Sequence, residues 1–254
     1  MARQAIGFKV KKGVIGDLQF TRRKGGDGRT QYIVGGKSGV DKTVILNDPK
    51  FANTRRNMSE FGRAASMSNY FGNLCHDILP LGKDGQSISR FTGLVRKLMN
   101  LDTENVKGER VLNLSLPAVA QGLAGFSWSK ERFGNVMIGS LGIAAIDNIA
   151  VTLGGSVGLN SPVFADGFVV RHTVVSKDLA GNYVTNSVAL NSKVGDGYHV
   201  LDGEIITHGG TAGEMLLVIA SVEFYQTVNS FKYSILDKSH RAITIVYAGV
   251  VPTT

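Results

Sequence analysis

Three short stretches carry residue types that catalysis uses, and each needs a particular structural setting. Gly36-Lys37-Ser38 has the ending of a phosphate-binding loop, in which backbone amides and a following helix N-terminus cradle the phosphate. The leading glycine of that pattern falls at Gln31 and no helical period comes directly after it, so the stretch reads as a glycine turn. Gly154-Gly155-Ser156-Val157-Gly158 has the letters of a nucleophile elbow, which requires a strand before it and a helix after it. The chain continues instead into Leu159-Asn160-Ser161-Pro162, another turn. Cys75 and His76 are adjacent; on a helix that directs them about 100° apart, so the thiol reads as a small buried hydrophobe, not half of a catalytic pair.

The other titratable residues are scattered. His76, His172, His199, His208 and His240 lack the short spacings of a zinc ligand set. Asp166, Asp178, Asp196 and Asp202 stand beside glycine or in expected turns, where an Asp side chain bonds its own backbone. A carboxylate pair of the glycosidase kind could be assembled from such loops only by the fold. Trp128 sits in an apolar run and reads as core. The expectation is therefore no catalytic residue, no metal site, no cofactor and no small-molecule substrate.

Charge supplies the strongest signal. Residues 1 to 65 hold 14 Lys and Arg against 5 Asp and Glu, a net +9 within a whole-chain charge of +8, so the remainder is −1. This is a basic arm on a neutral body. Lys11, Lys12, Arg22, Arg23 and Lys24 are its candidate contact residues toward an acidic patch of a neighbouring subunit or a phosphate backbone. Phe8, Phe20 and Tyr32 alternate with these cations; the pattern suits either a stacking surface for single-stranded nucleic acid or a hairpin with one packed face, and the second is the expectation.

Elements to position such residues emerge from periodicity. Ile6, Phe8 and Val10, then Val14, Leu18 and Phe20, read as two strands about a turn at Lys12-Gly13, with Tyr32-Ile33-Val34 as a third. Asp48-Pro49 is a helix start. Phe51, Met58, Phe61 and Ala65, continuing to Tyr70, Phe71, Leu74 and Ile78, recur at helical spacing. After Leu79-Pro80 and Gly82, Asp84 or Ser87 can cap a second helix with Ile88, Phe91, Val95, Leu98 and Leu101 on its apolar face. From Val111 to Val251 about ten short strands are expected, beginning with Val111–Leu116, with helix as an alternative for Leu141–Ile149. Met215 to Ala220 is apolar on both faces and belongs in the middle of a sheet or beneath another layer.

The expected fold is α+β, mainly β: a basic β-hairpin arm over 1–47, a helical hairpin over 48–105 and an antiparallel β-sandwich over 106–254. The 32 Gly, 43% hydrophobic content and 254-residue length fit such a core and exclude disorder and collagen-like repeats. One Cys, the lack of a signal-like start and the lack of an 18-residue apolar run point to synthesis in a reducing cytoplasm, with no membrane span.

Gly13-Val14-Ile15-Gly16-Asp17-Leu18-Gln19-Phe20 with Arg22-Arg23, then Asn47-Asp48-Pro49-Lys50-Phe51 and Thr54-Arg55-Arg56-Asn57-Met58-Ser59-Glu60-Phe61-Gly62-Arg63-Ala64, resemble an uncharacterised family of Bacteroidetes proteins. Its members pair a glycine-turn hairpin and a D-P-x-F-x-x-T-R-x-N-x-x-E-F-x-x-A helix with a β-rich C-terminal half. The match covers about residues 13 to 65. In size and layout the family resembles phage-derived or self-assembling structural proteins, which implies no activity at named residues.

The functional expectation is a non-enzymatic structural protein that assembles with copies of itself into a virion capsid, tube or filament. Its arm would make the inter-subunit contacts, with nucleic acid as a second candidate partner. After synthesis it would reside in the assembled particle. The alternative is a carbohydrate- or polymer-binding sandwich, with or without hydrolase activity.

Overall fold

A computed structural model gives the fold and describes residues 13–24, 26, 28–36, 39–74, 84–131, 136–159, 164–177, 180, 182–193, 199–200 and 204–253. The chain is α+β and mainly β, with antiparallel sheets. It divides into two contact units, Met1–Arg55 and Arg56–Thr254.

The first unit holds a three-stranded antiparallel sheet, β1 (Gly13–Ile15), β2 (Leu18–Lys24) and β3 (Thr30–Gly36), in that order. The turn between β1 and β2 falls at Gly16-Asp17, where Gly16 takes φ +57, a left-handed conformation open to glycine. Sequence periodicity runs one strand through that position from Val14 to Phe20; the glycine breaks it. The other expected strand, Ile6 to Val10, lies outside the described residues. A short helix α1 (Lys42–Asn47), capped by Asp41 accepting from Thr43 N at 2.8 Å, comes after the sheet. Asp48 then accepts from Lys50 N at 2.9 Å to start a 3-10 turn at Pro49–Phe51, so the expected helix start is real. That turn runs into α2 (Ala52–Leu74).

In the second unit the helices and strands share a core. A five-stranded sheet holds β6 (Gly167–Lys177), β7 (Tyr183–Lys193), β10 (Met215–Val228), β11 (Phe231–Ser234) and β12 (Ala242–Val250). A four-stranded sheet holds β4 (Met137–Ile146), β5 (Ala150–Leu159), β8 (His199–Val200) and β9 (Ile205–Thr207). Leu141 to Ile146 is thus strand rather than helix. Val174, Leu216 and Val218 of the larger sheet pack with Val151, Leu153 and Ile206 of the smaller. The opposite face of the larger sheet, with Val175, Leu217, Ile219, Ile243 and Ile245, packs against Phe71, Phe91, Val95, Leu98 and Trp128. Met215 to Ala220 is buried on both faces because one layer covers each side of β10, as its unbroken apolar run requires.

Helical packing departs from the sequence reading in its choice of face. In α2 the buried side chains are Glu60, Ala64, Ser68 and Phe71, whereas Phe61 is 54% and Met58 57% exposed. Phe51 is half-buried. Two small residues, Ala64 and Ser68, lie on the buried face with Phe71, and Met58 and Phe61 are left outward. In α3 (Ser87–Met99) Phe91, Val95 and Leu98 are buried as expected, while Leu101, beyond its end, is 42% exposed. Phe91 lies in ring contact with Phe71 (5.7 Å), Phe126 (4.9 Å) and Trp128 (5.2 Å). Val111–Leu116 is not a strand. Asp102 collects the loop before it, accepting from Glu104 N, Asn105 N, Asn105 Nδ2 and Val111 N at 2.8 to 3.1 Å. Pro117 then opens a short helix α4 (Pro117–Leu123), the position where proline costs no hydrogen bond.

Candidate assembly surface on the arm

Register sorts the arm residues onto faces, because paired residues in antiparallel strands point to the same side. Ile15 faces Leu18, Phe20 faces Val34 and Arg22 faces Tyr32. One face therefore carries Ile15, Leu18, Phe20, Val34 and Tyr32 with Arg22 and Lys24 beyond them. The other carries Val14, Thr21, Ile33, Gln19, Arg23 and Gln31. Both faces are open: Val14, Ile15, Leu18, Tyr32, Ile33 and Val34 are 43–57% exposed.

Of the cations singled out by charge, Arg22, Arg23 and Lys24 lie in β2, the middle strand. Alternation puts Arg22 and Lys24 on the apolar face and Arg23 on the opposite one, so the three do not form one patch. Lys11, Lys12 and Phe8 lie outside the described residues. Phe20 and Tyr32 do share the apolar face. The sequence hinted at this surface through alternation, but which apolar residues share a side depended on where the β1–β2 turn fell.

At the foot of the arm the Arg55 guanidinium donates to Ile45 O at 2.8 Å and Asp48 O at 2.9 Å. It ties α1 and the cap of the 3-10 turn to the start of α2, a role for which five planar donors suit arginine.

The residues considered for catalysis are differently placed. Gly154 to Gly158 lies inside β5, paired with β4 from Gly154↔Gly142 to Gly158↔Ile138. A continuous ladder strand is not the strand-turn-helix of a nucleophile elbow. Trp128 is fully buried. His172 is 2% exposed on β6, its Nδ1 has no hydrogen-bond partner among the described residues, and burial pushes its pKa down to about 4. His208 binds locally, with Nε2 3.1 Å from Asp147 O and Nδ1 accepting from Gly210 N. Asp166 accepts from Thr227 N on β10, 61 residues along the chain, so it bonds a distant strand and not its own turn as expected. Lys37, Cys75, His76, Asp178, Asp196 and Asp202 lie outside the described residues. Among the described residues no three His, Cys, Asp or Glu side chains group as a metal site, and no helix is long and apolar enough to cross a membrane.

The body carries one feature that sequence reading missed. A groove of about 610 Å³ opens beside α2, lined by Met67, Tyr70, Met99, Leu112 and Tyr183 with Arg63 at its wall. The Tyr70 and Tyr183 rings lie 4.3 Å apart, and burial raises the Tyr183 hydroxyl pKa. Arg63 is engaged with the loop, donating to Gly108 O and Arg110 O. No signal in the sequence joined Tyr183 to a helix more than a hundred residues earlier.

No protein-family model matches the chain, and no curated protein matches it.

Proposed function

We propose that this protein is a non-enzymatic structural subunit that assembles with copies of itself into a shell, tube or filament, with the basic arm making the inter-subunit contact. The observation that carries the reading is the arm sheet, whose apolar side chains are open on both faces. On the face with Arg22 and Lys24, Ile15, Leu18, Tyr32 and Val34 are about half exposed; at roughly 150–200 Å² for each large apolar side chain when free they leave roughly 300–400 Å², most of the apolar share of one side of a standard interface of about 800 Å². A small sheet whose apolar side chains stay open to water gains stability when a partner covers them. Arg22 and Lys24 beside the apolar residues favour an acidic subunit surface, or nucleic acid held within the particle.

Light scattering and negative-stain microscopy of the purified chain test this directly. Regular particles that disappear in a Leu18→Asp, Val34→Asp variant, with the body's melting temperature retained, support it; a strict monomer at high concentration overturns it. Salt should weaken the contact in proportion to its electrostatic share.

A second reading is favoured by the groove beside α2: its size and its tyrosine pair suit an aromatic or polymeric ligand. Tyrosine fluorescence and calorimetry against oligosaccharides would detect such binding, and Tyr183→Ala should abolish it.

A further inference from the structure

The two faces of the arm sheet differ in chemistry. Along one, the register sets Phe20 beside Val34, Arg22 beside Tyr32 and Lys24 beside Thr30, so an aromatic ring and two cations share one end of that face. Arg22 and Lys24, two residues apart on β2, stand about 7 Å from each other along it. Tyr32 is 57% exposed, whereas a face packed against the protein would cover it. The opposite face carries Val14, Gln19, Thr21, Arg23, Gln31 and Ile33, with no aromatic ring among the described residues.

Charge and shape select the partner. Residues 13–40 hold five Lys and Arg against two Asp. Arg22 and Lys24 belong to the middle strand, inside the face and not at its rim. The centre of a protein interface is where charged residues are depleted, because each buried cation needs its own acid. A phosphodiester backbone brings a row of anions with flat bases attached. A guanidinium holds a phosphate through two donors, and an open ring stacks on a base of any sequence. In a duplex the bases are already stacked on one another, so only an unpaired strand can use Tyr32.

We propose that the Arg22, Tyr32 and Lys24 end of this face binds single-stranded nucleic acid, with a base stacked on Tyr32 and phosphates held by the two cations. The apolar end, with Ile15, Leu18 and Val34, stays open to a second subunit. The proposal rests on the assembly reading above only in placing the strand within a particle; the binding itself needs one arm.

Fluorescence anisotropy of the full, nuclease-treated chain with labelled oligothymidylate and oligouridylate of about 12 nucleotides tests this, with duplex DNA of the same length and polyglutamate as comparisons. Both single strands should bind more tightly than the duplex, and the preference between them tells DNA from RNA. Tyr32→Leu keeps an apolar side chain for a subunit contact but should raise the single-strand Kd at least about five-fold, the low end for one lost base stack. Tyr32→Phe should restore most of that binding. Arg22→Ala should lower the slope of log affinity against log salt by about 0.7, and Arg23→Ala, on the other face, should weaken binding less than Arg22→Ala. Duplex or polyglutamate binding as tightly as the single strands, with Tyr32→Leu without effect, makes the arm a general polyanion surface and overturns the proposal; so does a lack of binding at low salt. Light scattering without nucleic acid reads assembly separately. Particles that bind no strand overturn this proposal alone, and a monomer that binds one overturns assembly alone.

Discussion

His172 is a neutral imidazole held in an apolar layer, and burial lowers its pKa from the ordinary 6.5 to about 4. Between those values the unfolded chain takes up a proton that the folded chain refuses, so stability falls as pH drops from 6.5 towards 4. The full loss is about 3 kcal/mol. Carboxylates with lowered values, chiefly Asp102 at about 2 through its backbone and Asn105 hydrogen bonds, lose their share below the ordinary 3.8, outside that window. Urea melts at pH 7 and 4.5 should show the difference, and His172→Gln should flatten it. Phe91 and Phe61 make a second contrast at this scale. Phe91→Ala empties a fully buried ring cluster and should cost about 3 to 5 kcal/mol. Phe61→Ala, at a side chain 54% exposed, should stay within about 0.5 kcal/mol. Denaturant midpoints distinguish the two.

At the scale of elements, α2 is tied to the loop before α4 by one buried carboxylate. Glu60 is 2% exposed and accepts from Gly108 N at 2.8 Å. Gly108 takes φ +102, and a Cβ there would stand 2.9 Å from the Arg56 side chain, so the loop accepts glycine alone at that point. Glu60→Ala leaves a buried N–H without a partner and should cost about 1 to 3 kcal/mol; Glu60→Gln keeps an acceptor and should cost less, a difference that thermal melts resolve. The β10–β11 hairpin shows the reverse case. Asn229 and Ser230 have φ +51 and +67, the two-positive pattern of a type I′ turn, which prefers Asn-Gly. Ser230→Gly should stabilise the protein by about 0.5 to 1 kcal/mol, visible as a higher melting temperature.

For the whole molecule, the division at Arg55 separates a stretch dense in cations from a body that is close to neutral. Tyr32 and Val34 of the arm sheet are 57% and 54% exposed, so polar substitutions there should leave the stability of the body within about 0.5 kcal/mol. The prediction is that Tyr32→Ser, Val34→Ser melts with the parent chain by circular dichroism while its particle size in scattering falls. Coupled losses of stability and size would instead mean that the arm belongs to the body's core.

Local chemistry alone determined several parts of this protein. Asp48-Pro49 specified a helix start, the Phe91 period specified a buried face, the apolar run at Met215 specified a covered strand, and alternating turns specified antiparallel sheets. Each depends on contacts within a few residues or on the solubility of a whole segment. The tertiary structure decided what depends on distant partners. Which face of α2 is buried was not set by the hydrophobicity of Phe61, since Ala64 and Ser68 lie inward with Phe71 while Phe61 is left outward. Residues 111 to 116 became a loop in which side chains take up backbone amides, Asp102 accepting from Val111 N and Asn113 from Ser115 N. Arm residues sorted into faces only once Gly16 fixed the turn, since a one-residue change of register exchanges every side chain between the two sides of a sheet.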